Sequence, residues 1–255
     1  DYSEKLGTIE FKDVNFKYEN DSDYILKDIN FKVNKGQTLA VVGTSGSGKS
    51  TLINLIARLY DATDGEVLID GKNIKDYTFE SLYSKVGYIG QKAIVFSDTI
   101  ANNVAFGETK TKVGEDEIKQ AIEIAQGKEF VENMKDGYNS EIAQGGINIS
   151  GGQKQRLAIA RIIAKKPEIL IFDDSFSALD FKTDKKLREE LKRNLKDTTS
   201  VIVASRIGTI MNADQILVLD GSKLVGKGTH EELLENCEVY KEIALSQLSA
   251  KELEG

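Results

Sequence analysis

The stretch from Gly43 to Thr51, reading GTSGSGKST, constrains this 255-residue chain more than any other segment in it. It has the G-x-x-x-x-G-K-[ST] form of a loop that wraps phosphate. Leu39, Ala40, Val41 and Val42 precede it as an apolar run of buried-strand type, and Leu52, Leu55, Ile56 and Leu59 follow at the i, i+3, i+4, i+7 spacing of one helix face. The order expected is therefore strand, glycine loop, helix. Gly43, Gly46 and Gly48 let the backbone curl so that N–H groups along Thr44, Ser45, Ser47 and the residues after them point inward at phosphate oxygens. The positive end of the helix dipole lies beneath. Lys49 is placed to reach β- and γ-phosphates, and the Ser50 hydroxyl to coordinate Mg2+.

Such a loop needs an acid on a neighbouring strand to hold the metal. Glu168 to Asp174, reading EILIFDD, supplies one: a hydrophobic strand ending in two acids and entered through Pro167, the only proline. Asp173 is then the Mg2+-orienting acid, and Asp174 stands where a base for the attacking water would stand. An Asp pair also serves as a helix cap or turn, and that reading stays open beside the first.

The rest of the chain divides into three pieces. From Thr8 to Val33, alternation at Ile9 and Phe11, then Val14, Phe16 and Tyr18, then Ile29, Phe31 and Val33 predicts antiparallel strands, with Asp70-Gly71 closing a later hairpin. Between about 96 and 164 helical spacing dominates, as in Ile118, Ala121, Ile122 and Ala125. Apolar strands at Ile169 to Phe172, Val201 to Ala204 and Ile216 to Leu219 then return, with Leu187, Leu191 and Leu195 on one face of an intervening helix.

In this order and spacing, the chain resembles the nucleotide-binding domain of ABC transporters over nearly its whole length. Tyr18 in FKYEN matches the aromatic that stacks on adenine, Gly43 to Thr51 match Walker A, and Gln91 in YIGQK matches the Q-loop glutamine. Ser150, Gly151, Gly152 and Gln153 match the signature, with Ile149 in place of the usual leucine. Ile169 to Asp173 match Walker B, and Ser177 to Asp180 the D-loop. The segment Asn139 to Gln153 and the ending GKGTHEELLENCEVYKEIALSQL are similar to the exporter branch, although Gln144 stands where many relatives have glutamate. Within that ending, Thr229 and Glu232 form a T-x-x-E capping box opening a terminal helix.

The resemblance implies an α/β fold: a P-loop NTPase (RecA-like) core, residues 1–95 and 165–255, with an N-terminal antiparallel β subdomain and an inserted α-helical subdomain, residues 96–164, bearing the signature. It implies ATP and Mg2+ as cofactors. The nucleotide would be held by Tyr18, Ile25 and Gly43 through Thr51, the metal by Ser50, Gln91 and Asp173, and catalysis would fall to Lys49, Gln91, Asp174 and Ser205.

Two departures from the family pattern bear on turnover. Walker B is normally followed by glutamate; Asp174 is one methylene shorter, which draws the carboxylate back by about 1.5 Å. The family's switch histidine precedes an arginine, and before Arg206 stands Ser205. A hydroxyl can bond a phosphate oxygen but cannot become an imidazolium. The only histidine, His230, falls in the first turn of the terminal helix and reads as a solvated helix start. The chain's own ATP site is therefore expected to hydrolyse weakly, while its intact signature serves a partner's site, as in the degenerate half of heterodimeric bacterial exporters.

Implied partners are a second nucleotide-binding domain, from a different half-transporter, and a transmembrane domain upstream; the implied place is the cytoplasmic face of the plasma membrane. No apolar run approaches the ~20 residues that span a bilayer. The single Cys237 and the absence of a signal-peptide pattern fit a reducing compartment, and the net charge of −7 argues against a nucleic-acid-coating surface. The pairs and clusters Lys165-Lys166 and Lys182, Lys185, Lys186 read as solvated helix ends and faces. Two other function classes remain: a soluble ABC ATPase acting on DNA or ribosomes, whose usual coiled-coil or zinc insertions this sequence lacks, and a regulatory subunit that binds nucleotide without turnover.

Overall fold

Side-chain alternation along four parallel strands sorts the core into two faces. These strands are β3 (Thr38–Gly43), β7 (Ile169–Asp173), β8 (Thr199–Val203) and β9 (Gln215–Asp220). Odd-numbered Leu39, Val41, Ile169, Ile171, Val201, Val203, Leu217 and Leu219 pack in one cluster, and even-numbered Ala40, Val42, Leu170, Phe172, Ile202, Ile216 and Val218 in the other. A strand period of two with both faces apolar is what a parallel sheet covered on both sides requires. The computed structural model describes residues 6–19, 22–107 and 113–253.

In those residues β6 (Val86–Ile89) and β10 (Lys223–Gly228) complete a six-stranded sheet of order β10-β9-β3-β8-β7-β6, parallel except for β10. A second, antiparallel sheet has the order β2-β1-β4-β5, from β1 (Ile9–Phe16), β2 (Leu26–Val33), β4 (Asp64–Ile69) and β5 (Lys72–Asn73). Asp70 and Gly71 close β4 to β5 with φ of 55° and 74°, the left-handed pair of a tight hairpin turn. Helix α1 (Lys49–Ile56) fills the space between the sheets with Leu52, Ile53, Leu55 and Ile56.

After α2 (Phe79–Lys85) and β6, the chain forms α3 (Ile100–Ala105), α4 (Glu115–Ile124), α5 (Lys128–Glu132) and α6 (Gly151–Ala164) before returning to β7. Three acids open α4 where the helix dipole favours them. Leu157, Ile159, Ala160 and Ile163 of α6 share one core with Leu170 and Phe172 of the sheet. The signature helix is thus seated directly on the strand that carries the acids. Helices α7 (Phe181–Asn194), α8 (Ile207–Ile210), α9 (His230–Asn236) and α10 (Glu238–Leu253) complete this face. Among the described residues no helix is long and apolar enough to cross a membrane.

Four readings of the sequence need correction. Ile9 to Phe16 is one strand, not two: Asp13 adopts φ 47° and a bulge shifts the register, so the alternation skips a residue without a turn. Leu59 lies beyond α1 and is 53% exposed. The helix ends because Arg58 turns left-handed at φ 50° while its guanidinium donates to the Ile74 and Tyr77 carbonyls. His230 is half-buried, and its Nδ1 lies 2.7 Å from the Tyr240 hydroxyl of α10. Lys165 is half-buried at the end of α6, and burial lowers its ammonium pKa, whereas Lys166 is exposed. The capping box opening α9 forms as expected, Thr229 accepting from Glu232 N–H and Glu232 from Thr229 N–H.

Candidate functional site

The carboxyl ends of β3, β6, β7 and β8 meet along one edge of the six-stranded sheet, where open α/β sheets place ligands. Gly43 ends β3. It pairs with Leu219, and a Cβ there would lie 2.1 Å from the Leu219 carbonyl oxygen and 2.7 Å from Ser47 Oγ. Only a residue without a side chain allows the loop to leave the strand at this point. Gly46 and Gly48 follow with φ of 75° and 96°, delivering the chain into α1 at Lys49. A Cβ on Gly48 would press on Leu26 and on the Ile25 carbonyl, which is how half-buried Ile25 borders the loop.

Thr44, Ser45, Gly46 and Ser50 are exposed; Ser47 and Thr51 are buried. Lys49 Nζ folds back onto the Gly43 and Thr44 carbonyls at 3.0 and 2.8 Å, and burial lowers its pKa. Ser47 Oγ is buried without a hydrogen-bond partner among the described residues. A cation held by loop carbonyls beside an unsatisfied buried hydroxyl has the donor chemistry that a phosphate group would satisfy. Tyr18, 49% exposed, stands edge-on to Phe16 and Tyr60, and its hydroxyl lies 2.8 Å from Thr51 Oγ1. An aromatic face is thereby set next to the loop, held at its polar end.

On β7, Asp173 accepts at 2.7 Å from the Tyr88 hydroxyl of β6. Burial, followed by that bond, raises the Tyr88 phenol pKa strongly. In the sequence Tyr88 stands out only as a neighbour of Gln91; the strand-to-strand pairing of Ile171 with Tyr88 is what brings it there. Asp174 follows at φ 49°, its N–H donating to the Val203 carbonyl, and Gln91 Nε2 approaches its Oδ2 at 3.4 Å. Burial raises the Asp174 carboxyl pKa, partly offset by hydrogen bonds from Ser177 and from the Ser205 backbone. Gln91, Asp173, Asp174 and Ser205 thus lie at or just past the carboxyl ends of neighbouring strands, and Lys49 and Ser50 in the first turn of α1, which the loop joins to β3. Among the described residues no cluster of three or more His, Cys, Asp or Glu is placed to hold an ion. One carboxylate with a hydroxyl and an amide fits Mg2+, which takes most of its ligands from water and substrate phosphate.

The exposed Ser205 is followed by Arg206, whose guanidinium donates to the Ser177 and Leu179 carbonyls of the turn after β7. That turn ends at Asp180, which caps α7 through Thr183. The segment bearing Ser205 is thereby tied to the one bearing Asp174.

The second motif opens α6. Ser150 Oγ accepts from Gln153 N–H at 3.2 Å while Gln153 Oε1 accepts from Ser150 N–H at 2.8 Å, a reciprocal capping box. Gln153 is therefore turned onto its own helix start, whereas exposed Ser150 and Gly151 and half-exposed Gly152 present the helix N-terminus outward. Half-buried Ile149 packs against the core. One turn further, Gln155 Nε2 donates to the Gly90 carbonyl, linking this helix to the segment that carries Gln91.

The family model described as ABC transporter matches residues 26–177. A Staphylococcus aureus protein (strain bovine RF122 / ET3-1), named for multidrug export as an ATP-binding/permease protein, is 44% identical over 94% of this chain and 41% of its own length. YgaD of Bacillus subtilis (strain 168), similarly named, is 42% identical over 93% of this chain and 40% of its own. The chain thus spans about two fifths of the curated relatives it matches. A solved structure of a bacterial Atm1-family ABC exporter with ATP bound superposes with a TM-score of 0.89 at 36% identity, covering 96% of this chain and 43% of that one.

Proposed function

The chain belongs to the ABC transporter family, as its nucleotide-binding ATPase domain, and from that premise we propose that it is the motor of a membrane exporter whose own ATP site turns over weakly. The observation that carries this reading is the exposure of both half-sites. Thr44, Ser45, Gly46 and Ser50 face solvent, as do Ser150 and Gly151. A ligand pocket ordinarily buries most of its ligand. A nucleotide on this loop needs a second surface to cover it, and an outward helix N-terminus is an anion-binding surface seeking one. Two such domains set head to tail satisfy both needs.

In the proposed cycle Tyr18 and Ile25 flank the base, and the loop N–H groups with Lys49 hold the phosphates. Mg2+ would rest on Ser50, Gln91 and Asp173 and supply charge neutralisation between the phosphates. Asp174 orients the attacking water and Ser205 offers a hydroxyl to the γ-phosphate. The first is short by one methylene; the second cannot carry a proton as imidazole does. Ser150, Gly151 and Gly152 serve the partner's site with a hydroxyl, N–H groups and a helix dipole. The partner is a different half-transporter, the transmembrane domain lies upstream in the full protein, and the whole sits at the cytoplasmic face of the plasma membrane.

The test is a reconstituted heterodimer. Ser150→Ala or Gly151→Asp is expected to abolish most ATPase and transport, Asp174→Asn to leave much of both, and Lys49→Ala to fall between. If Asp174→Asn damages as much as the signature changes, Asp174 is a working base and the weak-site reading is wrong. Asp174 and Ser205 also favour a second reading, a regulatory subunit without transport; it would be supported if neither signature change alters transport.

A further inference from the structure

One side chain from the end of the chain grips the backbone on both sides of Arg206. Gln247 Oε1 accepts from Ile207 N–H at 2.7 Å, and Gln247 Nε2 donates to the Ser205 carbonyl. Ile207 is the first residue of α8, a four-residue helix whose N-cap, Arg206, gives no side-chain cap. Gln247 supplies from outside an acceptor for the first of the N–H groups that a helix start leaves without an intrahelical partner. Its donor then closes a ring over residues 205 to 207, fixing the two peptide planes that flank Arg206; the first of these carries the Ser205 carbonyl and so restrains the Ser205 backbone from its C-terminal side.

The grip depends on how α10 docks. Tyr240 and Ala244 are 0% and 3% exposed, and Gln247 follows them at the i, i+4, i+7 spacing of one helix face. Burial of that face, with the Tyr240 hydroxyl against His230, sets Gln247 at its place. On the other side, Arg206 reaches the Ser177 and Leu179 carbonyls but touches neither group that Gln247 holds. The Ser205 N–H faces Asp174. Ser205 therefore sits between the carboxylate and the amide, and Gln247 holds its C-terminal side.

We propose that Gln247 is a positioning residue for Ser205, so that docking of α10 sets how well this site tells a triphosphate from a diphosphate. This rests on the reading of Ser205 as the residue that meets the γ-phosphate. The hydrogen bonds of the Gln247 side chain go to the Ser205 carbonyl and the Ile207 N–H, and not to the phosphate loop or Tyr18. Loss of Gln247 is therefore expected to act on triphosphate binding alone.

The experiment uses the full chain with Mg2+, titrated with a non-hydrolysable ATP analogue and with ADP, alongside hydrogen exchange at residues 205–210. Gln247→Met keeps length and removes both bonds; Gln247→Glu keeps the acceptor and loses the donor, and gives a second route to the answer if the first variant folds poorly. Ser205→Ala is the reference. Both Gln247 variants are expected to speed exchange in the segment and to weaken the triphosphate analogue about fivefold, the size of one hydrogen bond, with ADP affinity unchanged. Ser205→Ala should do the same to the analogue, and the double variant Ser205→Ala/Gln247→Met should be no worse than Ser205→Ala. Equal weakening of both nucleotides would mean a merely structural role and overturn the proposal. If Ser205→Ala lowers the preference while the Gln247 variants do not, the proposal falls and the reading of Ser205 stands. If Ser205→Ala changes nothing, that reading falls and takes the proposal with it.

Discussion

Lengthening the Asp174 side chain and restoring an imidazole at 205 should wake the site. In the structure Asp174 Oδ2 lies 3.4 Å from Gln91 Nε2, and a glutamate would carry its carboxylate about 1.5 Å further from the backbone. A misplacement of ~1 Å can cost ~10²-fold in rate, equivalent to about 2.7 kcal/mol of barrier. Asp174→Glu with Ser205→His is therefore expected to raise kcat by up to ~10²-fold, and by more than either change alone, because base and switch act as one unit. The backbone opposes part of this gain. Asp174 has φ 49°, a conformation that Asp tolerates and longer side chains resist, costing at most about 1–2 kcal/mol. The melting temperature should then fall by a few degrees, about 2–4 °C per kcal/mol for a chain of this size. Phosphate release at saturating Mg-ATP, read beside a thermal melt, measures both. A double variant that binds ATP like the parent yet hydrolyses no faster refutes the reasoning, and places the defect elsewhere.

Three further outcomes follow from the packing. Because the folded state raises the Asp174 pKa, it binds that proton more tightly than the unfolded chain does. Stability is lost as pH rises from about 4, the ordinary Asp range, through the raised value; Asp174→Asn should remove that loss, so its stability gain in urea titrations grows as pH rises above that range and would be flat if the carboxyl were unperturbed. Asp184, 1% exposed, accepts from Arg188 Nε at 2.7 Å and Thr209 Oγ1 at 2.9 Å. Asp184→Ala leaves that guanidinium unpaired and should cost about 3 kcal/mol in denaturant unfolding, with a loss under about 1 kcal/mol counting against a structural role for the pair. Gly43→Ala drives a methyl against the Leu219 carbonyl, so it should cost about 3 kcal/mol and abolish nucleotide binding; a variant with full affinity would show that the loop relaxes freely.

Motifs with fixed local spacing were legible from the sequence because their chemistry is carried by neighbouring backbone. The loop at Gly43 to Thr51, the strand into Asp173 and the cap at Thr229 are all of that kind. Periodicity failed where the backbone left its regular path within one residue. Arg58 turns left-handed and ends α1 before Leu59, so the helical spacing runs on past the helix; Asp13 turns left-handed inside β1, so the alternation slips by one residue and one strand reads as two. Contacts across the fold had no local trace. Tyr88 meets Asp173 only through the register of β6 on β7, and Gln247 meets Ser205 only because α10 folds back over β9 and α8. His230 read as solvated because its partner, Tyr240, belongs to the next helix.

The weak-site claim is tested most directly by measuring bound nucleotide and steady-state hydrolysis on the same sample of the purified chain, saturated with Mg-ATP. Near-stoichiometric ATP retained on the protein, with phosphate released well below tens per minute, is the predicted result. Turnover of tens per minute or above, an order-of-magnitude threshold at the low end of enzyme rates, would contradict it and make Asp174 and Ser205 a competent pair.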